Sequence, residues 1–363
     1  MIDRRLIAHF DWVTLLITVS LVTVGLASIY SATHTKWPSF YQKEFYWLVI
    51  GAGFMLAAII FNYTLLDRLA YLVYGSSILL LLSVFFVGSS MGGAKRWLDL
   101  GLFSLQPSEL SKLALIIMLA KYFSAKNVPQ KGLGLRQLLI PGAILMVPFL
   151  LIAKQPDLGT AIILWMIFWS VILVVGIRAR TFAGIILSLG AMMPFAWKAL
   201  KGYQKVRLMS FINPASDPRG SGYHVMQSKI AIGSGGLTGK GFDGGTQGKL
   251  MFLPEHHTDF IFAMFAEEWG LLGSLLVVTL FLVLVVRGLD AADNSKDRFG
   301  FFLAFGVSAM LFWHIIINLG MVSGLMPVVG VPLPFMSYGG SFLVTCMIAV
   351  GIIINIRMRR FIF

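Results

Sequence analysis

Four groups of polar residues interrupt a chain that is otherwise strongly apolar, and their side chains are the ones that could do chemistry. They are residues 95–112, which include KRWLD, QPSE and a lysine, and residues 154–160 (KQPDLGT), 255–259 (EHHTD) and 324–341 (GLMPVVGVPLPFMSYGGS). Carboxylates among them could move protons or hold a cation, and the basic side chains could bind an anion. Because an ionisable group at bilayer depth is costly, each one is a functional candidate.

The first two groups each allow a structural and a functional interpretation. Glu109 and Lys112 are three residues apart on a predicted helix that begins near Pro107, so they share a face and can pair. The pair could serve only to make the helix insertable, or it could bind an anionic head group. Asp157 lies in a tight turn between two apolar runs, where it could cap the next helix, hold a cation or orient a sugar hydroxyl.

Asp259 lies where the third group meets an apolar run, at the mouth of a predicted membrane span. A carboxylate that is partly desolvated in such a place is suited to act as a general base. The alternative is a helix N-cap, in which Thr258 or Asp259 accepts hydrogen bonds from free backbone amides. His256 and His257 would point about 100° apart on a helix, and no zinc-enzyme spacing accompanies them, so a zinc site is disfavoured.

The fourth group, 324–341, has no charge but contains three prolines and a Gly-Gly pair. Irregular backbone at membrane depth is tolerated only where it is buried in protein or lines a cavity. The segment therefore indicates a re-entrant stretch that closes a pocket, and the alternative is an ordinary outer loop.

The elements that must position these groups are membrane helices. Of the 363 residues, 58% are hydrophobic and only 12% are charged, whereas a soluble domain would carry about twice that charge. Runs long enough to cross the hydrocarbon core predict about ten transmembrane helices. These runs are 12–31, 45–63, 69–88, 109–125, 138–154, 159–177, 181–199, 260–287, 300–322 and 340–358. We predict an all-α, polytopic integral membrane protein with a single transmembrane domain, 1–363.

The positive charge predicts the orientation of this bundle. Lys and Arg are concentrated in alternate loops, which places those loops and both termini in the cytoplasm. The same loops explain most of the net charge of +13, and we expect no nucleic-acid partner. The segment 200–259, between predicted helices seven and eight, is then a long loop on the outer face. Within it, the spacing of Tyr223, Met226 and Ile230 predicts a short amphipathic helix at 221–232 that lies at the membrane interface.

These motifs resemble the RodA/FtsW/SpoVE (SEDS) family along nearly the whole chain. The matching stretches are KRWLDLG at 95–101, QPSE at 106–109, KQPDLGT at 154–160, SDPRGSGYHVMQSKIAIGSGGLTGKG at 216–241, LPEHHTDFIFA at 253–263 and PVVGVPLPFMSYGGS at 327–341. Several long motifs in a fixed order are far more specific than any one of them. The last motif and the short N-terminus are most similar to the RodA, or elongation, branch.

The resemblance implies a peptidoglycan glycosyltransferase that extends glycan strands during cell elongation. Its substrate would be lipid II, an undecaprenyl-diphosphate-linked disaccharide-pentapeptide. The implied partners are a class B penicillin-binding transpeptidase and other elongation-complex membrane proteins, in the bacterial cytoplasmic (inner) membrane. The family's essential acid matches Asp259, and Trp97, Glu109, Lys112 and Asp157 match other positions that the family pattern treats as important.

Inverting glycosyl transfer of this kind would need one base and several cations. We expect Asp259 to accept the proton of the attacking 4-hydroxyl of GlcNAc, while undecaprenyl diphosphate leaves from C1 of MurNAc. The basic candidates for binding the diphosphate are Lys112, Arg96, Lys205, Arg207, Arg219, Lys229 and Lys240, and Ser337 of the last motif is a further substrate-binding candidate. A divalent cation, Mg²⁺ or Mn²⁺, could share the task, although no dedicated protein cage for it is evident.

Two other functions fit parts of the same pattern. A transporter, in particular a lipid II flippase, also needs a polar cavity between helices that Pro and Gly interrupt. A scaffold that only recruits a synthase would have no evident use for Glu109, Lys112 and Asp157 at membrane depth. The motifs cluster at the predicted outer face, whereas a transport site usually lies near the midplane, so the pattern favours the enzyme.

Overall fold

Helices dominate the computed structural model, which describes residues 9–34, 37–91, 94–99, 101, 104–126, 131–199, 202–213, 217, 220–246 and 257–360. All the apolar runs predicted as spans lie in helices. The helices are α1 (Trp12–Thr33), α2 (Pro38–Ile60), α3 (Thr64–Val87), α4 (Pro107–Ser124), α5 (Leu135–Lys154), α6 (Leu158–Val175), α7 (Ala179–Ala199), α8 (Gly202–Ile212), α9 (Ser221–Ser234), α10 (Ile261–Asp293), α11 (Arg298–Val322) and α12 (Gly340–Arg359).

Among the described residues, eight helices are long and apolar enough to cross a membrane. The exceptions among the predicted spans are α4, which carries Glu109, Lys112 and Lys121, and α7, whose apolar part Ala179–Phe195 is short. Helix α4 tolerates its charges because most of its residues are buried against protein rather than lipid. The prediction of an all-α, multi-pass membrane protein is confirmed, and the number of crossings stays a prediction.

The core of the bundle is formed by α4, α11 and α12. In their most apolar stretches, 72% of α11 and 89% of α12 is buried, against 22% in α2 and α3, so α2 and α3 lie at the rim. Helix α12 packs against α2, and α11 packs against α4, α6 and α10. Helix α7 is exposed along nearly its whole length.

A small antiparallel sheet connects α3 to α4 and was not predicted. Its strands β1 (Ser89–Met91), β2 (Ala94–Asp99) and β3 (Ser104–Leu105) are arranged in the order β1–β2–β3. Strands this short carry no readable alternation of apolar and polar residues. The sheet matters because β2 holds Arg96 and Trp97 above the end of the bundle that contains Asp259.

The helix predicted at 221–232 is present as α9, and it packs against α10. It turns Val225 and Ser228 inward, while Met226 and Ile230 remain 48% and 45% exposed. The apolar stripe recognised in the sequence is therefore the outward face of this helix. Its position at the membrane interface stays a prediction.

Helix α10 is broken at Gly270, where the backbone has φ 64° and ψ −161°. The glycine-rich loop after α9 inserts its own backbone at this break: the Lys240 amide donates to Glu267 O at 3.1 Å, and the Leu271 amide donates to Gly236 O at 2.9 Å. Backbone groups released by the break are thus paired within the protein, as a low-dielectric environment requires.

The predicted re-entrant segment, 324–341, is irregular up to the start of α12, and much of it is buried. Leu333, Met336 and Ser337 are at most 2% exposed. The segment passes so close to α1 that the backbone of Phe335 leaves no room for a Cβ at Gly25. Its irregular backbone is buried in protein and lines a cavity, as expected, and its re-entrant course stays a prediction.

Candidate active site

All four polar groups contribute to one cavity of about 300 Å³ at the end of the bundle where α4, α6 and α10 begin. We call it the Asp259 cavity. Its walls come from β2, the start of α4, the α5–α6 turn, α8, the residues before α10 and the segment before α12. The lining residues are Arg96, Trp97, Gln106, Glu109, Pro156, Asp157, Leu158, Thr160, Arg207, Thr258, Asp259, Val329, Gly330, Pro332, Tyr338, Gly339 and Phe342.

Asp259 lines this cavity and is not a helix cap. The N-cap of α10 is Phe260, and it makes no side-chain capping hydrogen bond. The Asp259 carbonyl accepts a hydrogen bond from Asn318 Nδ2 at 2.9 Å, and its half-buried carboxylate faces Gly330. Gly330 has φ 73°, a conformation that side chains disfavour, and a Cβ there would lie 3.3 Å from Asp259 Oδ2.

The two residues before Asp259 are held by the segment before α12. Ser337 Oγ donates to Thr258 O at 2.6 Å, and the Tyr338 amide donates to His257 O at 2.9 Å. The Ser337 hydroxyl also accepts from the Leu333 amide at 2.8 Å, and Ser337 is only 2% exposed. The predicted contact of Ser337 with substrate is therefore not what the structure presents, because its hydroxyl is used behind the wall to position the backbone next to Asp259.

The predicted Glu109–Lys112 pair is present, with 2.7 Å between Lys112 Nζ and Glu109 Oε2. Glu109 lines the cavity, whereas the Lys112 side chain is 0% exposed and lies behind it. Lys112 Nζ is also 2.8 Å from His314 Nε2, and His314 Nδ1 is 3.2 Å from Pro332 O in the cavity wall. Lys112 can act on a substrate through its field but does not touch the cavity.

Asp157 both caps a helix and lines the cavity, and its predicted role towards a cation or a sugar hydroxyl stays a prediction. As the N-cap of α6 it accepts from the Thr160 amide at 3.4 Å and from Thr160 Oγ1 at 3.0 Å. It also accepts from Gln106 Nε2 at 3.1 Å and from Ser108 Oγ at 3.2 Å. Through these contacts Asp157 ties the start of α4 to the start of α6.

Arg96 and Tyr338 supply donors on two other walls. Arg96 Nε donates to Gln155 O at 3.2 Å, another guanidinium N–H donates to Pro156 O, and Arg96 Nη1 is 3.9 Å from Asp157 Oδ1. Tyr338 lines another wall of the cavity. The hydrogen bonds of Arg96 fix its guanidinium over the α5–α6 turn at the cavity edge.

The other basic residues predicted to bind the diphosphate do not all lie at the Asp259 cavity. Arg207 lines the Asp259 cavity and also a smaller pocket of about 30 Å³ beside it, whose wall contains Lys229. Lys205 is not among the residues that line either one, and Arg219 lies outside the described residues. Lys240 is not brought to the cavity.

The position of Lys240 has a clear physical reason. Its ammonium is 2.6 Å from Oε1 of Glu267, whose side chain is 0% exposed, and Thr246 donates to the same oxygen from both its amide and its hydroxyl at 2.9 Å. The charge of Lys240 neutralises a buried carboxylate at the break in α10. The predicted binding of a diphosphate by Lys240 is therefore not supported.

The described residues contain no group of three or more His, Cys, Asp and Glu side chains that could hold a metal ion. The carboxylates that line the cavity are Glu109, which is paired with Lys112, Asp157, which accepts hydrogen bonds from Gln106, Ser108 and Thr160, and Asp259. This donor set suits a hard cation only where a diphosphate supplies most of its oxygen ligands.

Two buried polar residues that position the candidate residues, His314 and Asn318, were not predicted. Each is an isolated polar residue in the apolar helix α11, and they are 2% and 0% exposed. Polar side chains at membrane depth are themselves a signal, since they are costly unless they are used. Which partner each one holds depends on contacts far apart in the sequence.

The chain matches the sequence model of a known family along nearly its whole length. A sequence model of the FtsW/RodA/SpoVE family, described as "Cell cycle protein", matches residues 6–361. The chain belongs to this family. The family predicted from the motifs is thereby confirmed.

Relatives in the FtsW/RodA/SpoVE family match along nearly their whole length. Peptidoglycan glycosyltransferase MrdB of Escherichia coli (strain K12) is 40% identical over 355 residues, 97% of this chain and 94% of the relative. MrdB of Helicobacter pylori (strain J99) is 36% identical over 367 residues, 100% of this chain and 93% of the relative. Probable peptidoglycan glycosyltransferase FtsW of Geobacter metallireducens is 36% identical over 371 residues, which are 99% of this chain and 97% of the relative.

Solved structures of similar chains share the fold. A chain from "Structural coordination of polymerization and crosslinking by a peptidoglycan synthase complex" has a TM-score of 0.84 and 28% identity, and the match covers 98% of this chain and 99% of that chain. The crystal structure of the Thermus thermophilus rod shape determining protein RodA has a TM-score of 0.73 and 27% identity. The match covers 97% of this chain and 98% of that chain.

Proposed function

We infer that this chain is a peptidoglycan glycosyltransferase and that it polymerises lipid II in the Asp259 cavity. The observation that carries the proposal is one half-buried carboxylate in a cavity whose walls also hold Arg96 and Arg207. The relatives named peptidoglycan glycosyltransferase support the reaction class, and the RodA and MrdB names support a role in cell elongation.

The reaction requires a proton acceptor beside the attacking hydroxyl. The 4-hydroxyl oxygen of GlcNAc on one lipid-linked unit forms a bond to C1 of MurNAc on the growing chain. The bond from C1 to the diphosphate oxygen breaks with its electron pair, so undecaprenyl diphosphate leaves, and Asp259 takes the hydroxyl proton. A positioned general base typically contributes about 10²–10⁴-fold to the rate.

The departing diphosphate requires positive charge from the opposite walls. Arg96 and Arg207 present guanidinium groups at the cavity, and the buried Lys112 adds a fixed positive field from behind Glu109 and Phe342. Preorganised charges of this kind act strongly where water is excluded. Lys229, in the pocket that shares Arg207, extends the basic surface along the path of a long anionic substrate.

We propose that Mg²⁺ or Mn²⁺, where the reaction uses it, enters with the diphosphate. The diphosphate would supply most of its oxygen ligands. The cation would supply further charge neutralisation to the leaving group.

The substrate tail and the partner both need surfaces that face lipid. Helix α7 is exposed along nearly its whole length, and we propose that the polyprenyl chain lies against it in the membrane. A class B penicillin-binding transpeptidase and other elongation-complex proteins are the proposed partners. A chain of similar fold taken from a peptidoglycan synthase complex supports this assignment.

The proposed location is the bacterial inner membrane, with both termini cytoplasmic and the Asp259 cavity extracytoplasmic. Arg68, Arg136, Arg178 and Arg298 lie near the starts of α3, α5, α7 and α11, at the end of the bundle opposite Asp259. Loops rich in Lys and Arg are the ones retained in the cytoplasm. This distribution supports the orientation.

Purified protein with lipid II in detergent tests the proposal. The wild type should produce glycan polymer on a gel, and Asp259→Asn, which keeps the shape of the side chain, should lower the rate by about 10²–10⁴-fold. Asp243→Asn is the matched control, because Asp243 lies in the same long loop, near His34 and outside the cavity. Absence of polymer from the wild type, together with movement of lipid II across vesicle membranes, would instead indicate a flippase.

A further inference from the structure

A second concave surface lies between α5, α6 and α7 and opens towards the side of the bundle. Its volume is about 380 Å³, and its walls are almost entirely apolar, including Leu135, Gly142, Met146, Trp165 and Ile185. We call it the α5–α7 groove. No substrate candidate of the Asp259 cavity lines it.

The length of the groove fits one leaflet of a membrane. It begins at Leu135, the first residue of α5, and ends near Met146. At a rise of about 1.5 Å per residue these two positions are roughly 16 Å apart along the helix. The hydrocarbon core is about 30 Å thick, so the groove covers about half of it, in the leaflet away from Asp259.

At its open end the groove lies next to two basic loops that are joined by backbone hydrogen bonds. The Leu133 amide donates to Gly176 O at 2.9 Å, and the Arg178 amide donates back to Leu133 O at 3.1 Å, which joins the loop before α5 to the loop before α7. Arg136, Arg178 and Arg180 are all exposed at this junction. The starts of α5 and α7 add the positive ends of two helix dipoles.

The stretch of sequence around these three arginines is nearly free of acids. Between Glu109 and Asp217 the sequence contains a single acid, Asp157, and Asp157 lies in the cavity at the opposite end. Within the described part of the chain, Arg136, Arg178 and Arg180 form no ion pair with a carboxylate.

We propose that the α5–α7 groove binds an anionic glycerophospholipid of this leaflet. Its phosphate lies between Arg136 and Arg180, and one acyl chain follows the groove past Gly142 to Trp165. Basic side chains beside membrane helices attract anionic head groups. Gly142 makes room for the chain, since a Cβ at this position would meet nothing within 4 Å.

The same features argue against other occupants. The lipid-linked substrate carries its head group at the Asp259 end, so its diphosphate would be on the wrong side of the membrane for these arginines. A partner helix that crosses the bilayer would need a groove about 30 Å long. A second copy of this chain would bring the same positive charge to the same place.

Quenching of tryptophan fluorescence by brominated acyl chains tests the proposal, because Trp165 and Trp169 line the groove. The full chain is placed in nanodiscs of phosphatidylcholine that contain a minority of brominated phosphatidylglycerol, or the same fraction of brominated phosphatidylcholine. The quenching that disappears in Trp165→Phe/Trp169→Phe measures occupancy of the groove. The wild type should prefer the anionic lipid, and each arginine removed in Arg136→Gln/Arg180→Gln should lower that preference by about fivefold.

Two matched controls separate a built site from general attraction to a basic surface. Arg68→Gln/Arg298→Gln also removes two positive charges from the same end of the bundle, and it should keep the preference for the anionic lipid. Gly142→Phe should empty the groove, whereas Gly53→Phe, at another helical glycine with open space around it, should not. Thermal unfolding of each variant shows that it is folded. Equal quenching by the two lipids in the wild type, or equal losses in both arginine pairs, would overturn the proposal.

Discussion

Removal of the Lys112 charge gives the most informative test of the buried network behind the cavity. Lys112→Met keeps most of the side-chain volume but leaves Glu109, 4% exposed, without its cation. At 2.7 Å and an effective dielectric constant of 20, the attraction between the two charges is about 6 kcal/mol. Desolvation of both groups offsets much of this energy, and breaking such a pair from one side typically costs about 3–5 kcal/mol.

The double variant Glu109→Gln/Lys112→Met distinguishes a structural pair from a functional one. It leaves no uncompensated charge, so most of the stability lost in Lys112→Met should return. Glu109→Gln alone should cost less than Lys112→Met, because Lys112 keeps the acceptor His314 Nε2 at 2.8 Å. Equilibrium unfolding in mixed micelles measures these differences. A Lys112→Met protein as stable as the wild type would refute the reasoning.

The activity of the same double variant decides what the pair does for catalysis. If the field of Lys112 stabilises the departing diphosphate, the folded double variant should still polymerise lipid II far more slowly than the wild type. Restored stability together with full activity would mean that the pair only makes α4 insertable and would remove Lys112 from the mechanism.

Two further predictions concern the walls of the cavity and the loop beside it. Gly330→Ala forces a side chain into a backbone with φ 73° and places a Cβ 3.3 Å from Asp259 Oδ2, so the rate of polymerisation should fall. The control Gly190→Ala, in open space on α7, should leave the rate unchanged. Equal activities of the two variants would contradict the close approach of Gly330 to Asp259. Lys240→Ala should lower stability by about 1–3 kcal/mol, because Glu267 stays buried, without changing the KM for lipid II; a raised KM would return Lys240 to the substrate site.

The sequence predicted those features of the site that depend on local spacing. Glu109 and Lys112 pair because three residues separate them on a helix, and Asp157 caps α6 because it directly precedes it. The spans follow from the length of the apolar runs. Asp259 was placed at a helix start by the change from polar to apolar residues.

The features that were missed depend on contacts between distant parts of the chain. Lys240 binds Glu267 because a glycine-rich loop enters the break at Gly270, and nothing in the local pattern announces that insertion. Ser337 was predicted to bind the substrate, yet its hydroxyl donates to the backbone carbonyl of Thr258, 79 residues earlier. Long-range hydrogen bonds of this kind carry no periodic signal.

The position of the attacking hydroxyl in a substrate complex tests the central claim most directly. An experimental structure of Asp259→Asn with lipid II as the acceptor and a short lipid-linked glycan as the donor would give the distance from the side chain at 259 to the GlcNAc 4-hydroxyl. We predict a heavy-atom distance of about 2.6–3.2 Å, the reach of a general base. A hydroxyl held by a different carboxylate, with Asp259 turned away from both sugars, would contradict the account.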